Sequence, residues 1–206
     1  RSWRGSGCRG RKADFHMMNA DEIAIAILAG GEGSRIGGNK PSVRLGSSTL
    51  LERTWKLAKA LSDNVVLVLR QPGSAGSAGY PFITDRADIE GPLAGLESAL
   101  VWANEAGREA VITVPCDMPL LPPDLVERLT NEIGEKSVAI AASGGQIHPV
   151  CGLWKTDVIE PLETYSKEGR RSLQGFARAV GFAQVDWPTG AMDPFFNINR
   201  PSSHDI

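Results

Sequence analysis

Residues 22–40 read EIAIAILAGGEGSRIGGNK and join an uninterrupted apolar run to a glycine-rich segment. The run Glu22–Leu28 is rich in isoleucine, which is typical of a strand buried on both faces of a sheet. Five glycines follow between residues 30 and 38, together with Arg35 and Lys40. Glycine lets the backbone bend tightly and turn its N–H groups toward an anion. The segment therefore predicts a phosphate-binding loop after the first strand; a surface loop without a ligand is the alternative.

Two better-known phosphate-binding loops are excluded by single positions in this segment. A Walker loop ends in Gly-Lys-Ser/Thr, whereas Lys40 lies between Asn39 and Pro41. A dinucleotide-binding loop requires GxGxxG, and Ile36 occupies the place of its last glycine. The loop is therefore of another kind.

Apolar runs and helical stripes alternate through the rest of the chain. Residues 64–69 read NVVLVL and predict a second buried strand, and residues 49–61 carry a helical stripe with Thr49 as its N-cap. We predict further strands at 80–84, 110–114, 137–142, 148–154 and 182–186, and further helices at 93–106, 125–133, 157–165 and 172–180. This alternation predicts an α/β fold in three layers, a mostly parallel sheet with helices on both faces. Ligands bind such sheets at the carboxyl ends of the strands.

The composition is that of an ordinary globular protein with a basic arm at its start. The chain has 206 residues, of which 42% are hydrophobic and 22% charged. Residues 1–12 hold five basic residues and no acid, whereas the remainder holds 17 basic against 24 acidic residues. We expect residues 1–20 to be a tag or an upstream translated extension and residues 21–206 to form one domain.

The acidic body argues against a nucleic-acid partner, and no apolar run is long enough for a membrane span. Because the three cysteines form no CxxC pair, we expect a cytoplasmic protein.

Asp117 lies in the segment VITVPCDMPLL, residues 111–121, just beyond another strand-like run. Prolines two residues away on each side stiffen the backbone, and the neighbouring Cys116 and Met118 leave the carboxylate as the hard oxygen ligand. Mg²⁺ prefers one or two carboxylates together with substrate phosphates and water. Asp117 is therefore a candidate Mg²⁺ ligand; an N-cap for the next helix is the alternative.

Asp85, in ITDRADIEGPLAG, follows the short strand predicted at 80–84 and is a second candidate ligand-binding carboxylate. Asp88 and Glu90 compete for the same role, and an aspartate that only makes a turn is the alternative. The stretch GPLAGL opens the next helix. Either the N-terminal amides of this helix face a ligand, or Gly95 only permits close packing. The sequence leaves both readings open.

Polar side chains near the end of the chain include Asn197 and Asn199 in PFFNINRP, which either donate to a polar ligand or make turns. His148 precedes a proline at a strand start, and we expect it to be structural.

The sequence shows no Ser-His-Asp or Cys-His pairing. Transfer to a phosphate acceptor needs no protein base, because a phosphate monoester is already anionic at neutral pH. Positioning and charge stabilisation then suffice for catalysis.

The segment LAGGEGSRIGGNK resembles the signature of the sugar-nucleotide and cofactor nucleotidyltransferases, in particular of the molybdenum cofactor guanylyltransferase family. GPLAGL, PCDMPLL, HPVCGLW and FFNINRP match that family's pattern in the same order, so the resemblance covers residues 22–203. It implies a Rossmann-like nucleotidyltransferase fold over residues 21–206. It also implies that Mo-molybdopterin attacks the α-phosphate of GTP, which releases pyrophosphate and forms a guanine dinucleotide cofactor.

The resemblance implies a role for each matching residue. Lys40 would be a catalytic cation at the phosphates, and Asp117 would be catalytic by holding Mg²⁺. Arg35, which adds positive charge to the loop, is a further catalytic candidate; stacking or pairing outside the site is its alternative. The nucleotide and the pterin would be bound by Leu28, Ala29, Gly30, Gly31, Gly33, Lys40, Asp85, Asn197 and Asn199, with Asp85 in the nucleotide pocket and the two asparagines at the pterin end. The implied partners are GTP, a molybdopterin-type acceptor, and the proteins that deliver or receive the cofactor in transient contacts.

The chain departs from the family's pattern at three places. Asn39 replaces the usual Asp before the lysine, Arg200 replaces a Thr, and VLVLRQP at residues 66–72 lacks an asparagine that touches the nucleotide. The pair Gly30–Gly31 is the form associated with guanine. The alternatives are a related nucleotidyltransferase that uses CTP or acts on a sugar phosphate, and a non-catalytic GTP-binding module.

Overall fold

The computed structural model describes residues 18–29, 44–71, 79–85, 91–190 and 192–197. The strands are β1 (Ile23–Leu28), β2 (Arg44–Leu45), β3 (Ser48–Thr49), β4 (Val65–Leu69), β5 (Phe82–Thr84), β6 (Ala110–Pro115), β7 (Val138–Ser143), β8 (Gln146–Lys155) and β9 (Ala183–Trp187). The helices are α1 (Leu50–Leu61), α2 (Pro92–Glu105), α3 (Leu125–Glu132), α4 (Ile159–Lys167) and α5 (Leu173–Val180). Each predicted strand and helix is present within two residues of its predicted bounds, and the β2–β3 hairpin was not predicted.

Seven strands form one mixed sheet in the order β5-β4-β1-β6-β8-β7-β9. All the pairings are parallel except those of β8, which runs antiparallel to both β6 and β7. The mostly parallel sheet is therefore confirmed, and the reversal of β8 is an addition to it. Gly144 and Gly145 cause the reversal, because their φ angles of 56° and 79° suit the tight hairpin that joins β7 to β8.

Alternating side chains of β1 divide the core into two layers. Ile23, Ile25 and Ile27 pack on the face covered by α1 and α3. Ala24 and Ala26 point to the opposite face, which α2, α4 and α5 cover. The sheet is thus buried between two helical layers, as the sequence predicted.

Helix α1 begins with the capping box that its sequence suggests. The Thr49 hydroxyl accepts from the Glu52 N–H at 3.1 Å, and the Glu52 carboxylate accepts from the Thr49 N–H at 2.7 Å. These two bonds satisfy backbone donors that a helix start leaves without partners. The predicted N-cap is therefore confirmed.

Six strands end, and β8 begins, at the same side of the sheet, which we call the carboxyl edge. Ala29, Arg70 and Asp85 each directly follow a strand that ends there, Asp117 follows β6 by two residues, and Ser143 is the last residue of β7. The sheet thus gathers residues that are distant in sequence. No helix in the described ranges has the length and apolarity that a membrane span requires.

Candidate active site

The centre of the carboxyl edge lies at the end of β1, where two backbone hydrogen bonds extend the sheet. The Ala29 N–H donates to the Val68 carbonyl at 2.9 Å, and the Cys116 N–H donates to the Leu28 carbonyl at 3.2 Å. The chain leaves β1 for β4 on one side and reaches β6 on the other side only later. Such a switch in direction opens a crevice where α/β sheets bind ligands.

The predicted phosphate loop begins at this crevice. Leu28 ends β1, and Ala29 is the last residue described before the chain resumes at Arg44. The candidate residues Gly30, Gly31, Gly33, Arg35 and Lys40 lie outside the described residues. The structure therefore fixes where the loop starts.

Asp117 lies in a turn after β6 and is only 7% exposed. It is not the N-cap of the next helix, because α3 begins at Leu125 and Asp124 occupies that position. The N-cap alternative is therefore wrong. The backbone enters this turn already paired with β1, so the position of the aspartate depends on the sheet.

The thiol of Cys151, on β8, lies close enough to the Asp117 carboxylate to be affected by its charge. The Cys151 thiol lies 3.4 Å from the Met118 sulfur. Complete burial, and secondarily the negative charge of Asp117, raise the pKa of the Cys151 thiol. The thiol therefore stays protonated near neutral pH, and the carboxylate is the hard ligand of this group.

Thr54 of α1 ties the helix to the same turn. Its hydroxyl is fully buried and lies 3.2 Å from the Cys116 carbonyl oxygen and 3.1 Å from the Leu50 carbonyl oxygen. This residue was not predicted from the sequence. A threonine four residues after Leu50, on the buried stripe of α1, is the signal that could have identified it.

Asp85 lies beside the end of β1 and the first turns of α2. Its N–H donates to the Leu69 carbonyl at 2.8 Å. A Cβ placed on Gly95 would lie 3.2 Å from Leu28 Cδ2 and 3.5 Å from Asp85 Oδ1. Gly95 thus permits the close packing that the sequence left open, and this packing brings Leu28 and Asp85 together.

The environment of Asp85 disfavours its charged form. Its buried Oδ1 has no hydrogen-bond partner among the residues described. Burial raises the pKa of Asp85 to about 6, against the opposing effect of the positive charge on Arg70. A partly buried acceptor of this kind suits a ligand that brings N–H donors. The competing candidates Asp88 and Glu90 lie outside the described residues.

The chemistry of the edge suits a magnesium ion held jointly with substrate. In the part of the chain that is described, no three His, Cys, Asp or Glu side chains form a metal-binding cluster. Mg²⁺ needs only one or two carboxylates when substrate phosphates and water complete its coordination. Asp117 fits that requirement.

Asn197 and a hydrogen-bonded cluster lie at the far side of the edge. Asn197 Oδ1 is buried and has no hydrogen-bond partner within the described ranges, and Asn199 lies outside them. Ser143 bonds both His148 and Asp193, a grouping that the sequence analysis did not find. The serine lies between the other two, whereas a nucleophilic triad places the histidine in the middle. The cluster is therefore not a catalytic triad.

Comparisons with known proteins agree with this architecture. Residues 25–183 match the model of the MobA-like NTP transferase domain family. The chain is 39% identical over 181 residues to the molybdenum cofactor guanylyltransferase of Nitrobacter hamburgensis, covering 84% of this chain and 87% of that protein. It is 37% identical over 179 residues to the protein of the same name from Cereibacter sphaeroides, covering 85% and 90%.

A solved structure supports the fold. Molybdopterin-guanine dinucleotide biosynthesis protein A from Archaeoglobus fulgidus superposes with a TM-score of 0.68 at 24% identity, covering 86% of this chain and 93% of that one. The similarity to this solved structure also confirms the predicted three-layer fold.

The raised pKa of Asp85 predicts how an Asp85→Asn variant responds to pH. The native state holds this proton up to about pH 6, whereas the unfolded chain loses it near pH 3.8. The native state is therefore progressively destabilised as the pH rises through this window. Asp85→Asn should melt at a higher temperature than the parent, by a margin that widens from about pH 4 to pH 7.

Melting curves followed by circular dichroism measure this margin. Asp63→Asn is the control, because the Asp63 side chain is fully exposed. A margin for Asp85→Asn that is constant with pH, or that narrows, would contradict the burial of this carboxylate.

Proposed function

Because this chain belongs to the MobA-like NTP transferase domain family and is a nucleotidyltransferase, we propose that it transfers GMP from GTP to the phosphate of Mo-molybdopterin. An oxygen of the acceptor phosphate attacks the α-phosphorus, and the bond to the β-phosphate breaks as pyrophosphate leaves. The observation that carries this proposal is the position of Ala29, Asp85 and Asp117, which follow strands that all end at the same edge of the sheet. The products are pyrophosphate and the guanine dinucleotide form of the cofactor.

The triphosphate would occupy the loop that begins at Ala29. In our proposal Leu28, Ala29, Gly30, Gly31 and Gly33 cradle the nucleotide, and the side chains of Lys40 and Arg35 neutralise the phosphates. Backbone N–H groups at such a loop act as fixed donors that need no rearrangement during the reaction. The start of the loop at the β1 crevice supports this assignment.

Asp117 would hold Mg²⁺ beside the phosphates. When bound, the ion would neutralise charge that develops on the transferring group. The turn that carries Asp117 is held by the sheet and by Thr54, so the backbone next to this residue is fixed before substrate arrives. This fixed backbone supports a role in positioning as well as in charge stabilisation.

Asp85 would recognise the guanine base rather than the phosphates. A carboxylate repels a triphosphate, but it accepts well from the N–H groups that guanine presents side by side at N1 and N2. The buried Oδ1 of Asp85, which has no hydrogen-bond partner among the described residues, supports this choice. Cytosine offers an amino group without the adjacent ring N–H, so the same carboxylate favours guanine over cytosine.

The acceptor would lie on the side of Asn197 and Asn199, whose amides would contact the pterin. No protein nucleophile is needed, since the acceptor phosphate is itself anionic. Burial raises the pKa of the Cys151 thiol next to Asp117, which makes that group unsuited to nucleophilic attack. Transient contacts with the proteins that deliver or receive the cofactor remain a prediction, as does a cytoplasmic location.

Calorimetry with Mg²⁺ and each of GTP, CTP, ATP and UTP tests the nucleotide assignment. We expect the parent chain to bind GTP most tightly. Because hydrogen bonds to a charged group contribute about 1.5–3 kcal/mol, Asp85→Asn should weaken GTP binding about tenfold or more and leave CTP binding little changed. A preference for CTP would indicate a cytidylyltransferase, and an absence of binding to all four nucleotides would contradict the proposal.

Loss of Asp117 should remove turnover while the fold remains. Asp117→Ala should slow pyrophosphate release by about 10³-fold, the scale seen when a group that stabilises the transition state is removed. Release is measured with GTP, Mg²⁺ and molybdopterin, and Asp63→Ala serves as the surface control. Near-normal release by Asp117→Ala would contradict its assignment as the metal ligand.

A further inference from the structure

Ser143 is the centre of a hydrogen-bonded cluster at the carboxyl edge. It ends β7 and is 2% exposed. Its Oγ lies 2.8 and 2.9 Å from the two carboxylate oxygens of Asp193 and 2.7 Å from His148 Nε2. Three elements therefore meet at one hydroxyl group: the end of β7, the start of β8 and the segment 192–197.

The chemistry of these groups fixes the direction of each hydrogen bond. A hydroxyl has one hydrogen, and an ionised carboxylate can only accept. Ser143 therefore donates to Asp193 and accepts from His148, which must carry a hydrogen on Nε2. His148 acts here as a donor to serine, and not as a base that activates it.

Phe195 links this cluster to the core. Its N–H donates to Asp193 Oδ1 at 2.9 Å. Its ring stacks on the His148 ring, with centroids 5.0 Å apart and planes at 22°, and meets the Trp187 ring edge-on at 5.2 Å. The backbone at Asp193 and Phe195 is thus held from both sides, by hydrogen bonds and by ring packing.

Asn197 lies two residues beyond this anchor. Its Oδ1 is buried without a hydrogen-bond partner in the described part of the chain. On the opposite side, the antiparallel pairing of β6 with β8 matches Thr113 with Gly152. In the sheet, β8 lies between β6, which leads into the turn of Asp117, and β7, which ends at Ser143. Because β8 begins at the carboxyl edge, His148 lies there between the strand that leads to the proposed metal ligand and the strand whose last residue holds the segment 192–197.

We propose that His148, acting through Ser143 and Asp193, is a positioning residue that sets where Asn197 meets the acceptor relative to Asp117. This inference rests on the proposed function, because it assigns the acceptor to the Asn197 side of the edge. His148 touches no reacting group in this account. Its effect is therefore confined to acceptor binding, and the nucleotide, which lies on the Asp85 side, is unaffected.

Two substitutions at His148 separate its hydrogen bond from its ring packing. His148→Phe keeps a ring against Phe195 and removes the donor to Ser143. His148→Gln loses the ring and keeps an N–H donor at about the position of Nε2. The KM for molybdopterin and the KM for GTP are measured for both variants in the pyrophosphate-release assay with Mg²⁺.

His148→Phe should raise the KM for molybdopterin about tenfold and change the KM for GTP less than about twofold, in proportion to one lost hydrogen bond. His148→Gln should restore the KM for molybdopterin to within about threefold of the parent value. Ser143→Ala should behave like His148→Phe. Ser98→Ala is the matched control, because Ser98 Oγ is also buried but has no hydrogen-bond partner among the described residues.

A general structural role would lower the active fraction or raise both KM values together, and that result would overturn the proposal. An unchanged KM for molybdopterin in His148→Phe, or a failure of His148→Gln to restore it, would overturn it as well. If the parent chain transfers no nucleotide to molybdopterin, the proposed function fails and the positioning role fails with it. If the parent transfers nucleotide normally and the His148 variants give one of the contradicting KM results, only the positioning role is overturned.

Discussion

The pairing of β1 with a parallel strand on each side is the constraint on which the rest of the molecule depends. Because β1 is buried on both faces, all its backbone polar groups must find partners within the sheet. The pairs Ile25↔Val65 and Ile25↔Ile112 satisfy this on the two sides. Because these pairings are parallel, β1, β4 and β6 end at the same edge of the sheet. Ala29, where the glycine-rich loop starts, and the turn that carries Asp117 therefore follow neighbouring strands.

Two carboxyl groups at this edge have little contact with solvent. Asp85 is desolvated strongly enough to raise its pKa to about 6, and Asp117 is buried in the turn after β6. Groups that are fixed and poorly solvated before substrate arrives need little reorganisation when it binds. The burial of Asp85 lowers the stability of the fold at neutral pH, and a carboxylate that needs little reorganisation is what the proposed transfer reaction requires.

Sequence periodicity predicted most of the fold because burial on one or both faces is a local property. It did not predict the orientation of β8, although Gly144–Gly145 between two apolar runs is a hairpin signal that could have been used. The Ser143–Asp193 bond joins residues 50 positions apart, and such contacts leave no local pattern. Asp117 and Asp85 were chosen as candidates because each follows a predicted strand, and their roles stay predictions. The roles of Gly30, Lys40 and their neighbours stay predictions.

Direct attack by the acceptor on the nucleotide is the central claim, and the configuration at the α-phosphorus tests it. The chain is incubated with Mg²⁺, molybdopterin and one diastereomer of GTP that carries sulfur on the α-phosphate, and the configuration of the dinucleotide product is determined. A single displacement predicts a guanine dinucleotide with inverted configuration. Retained configuration would reveal two displacements through a nucleotide bound covalently to the protein, and would contradict the account.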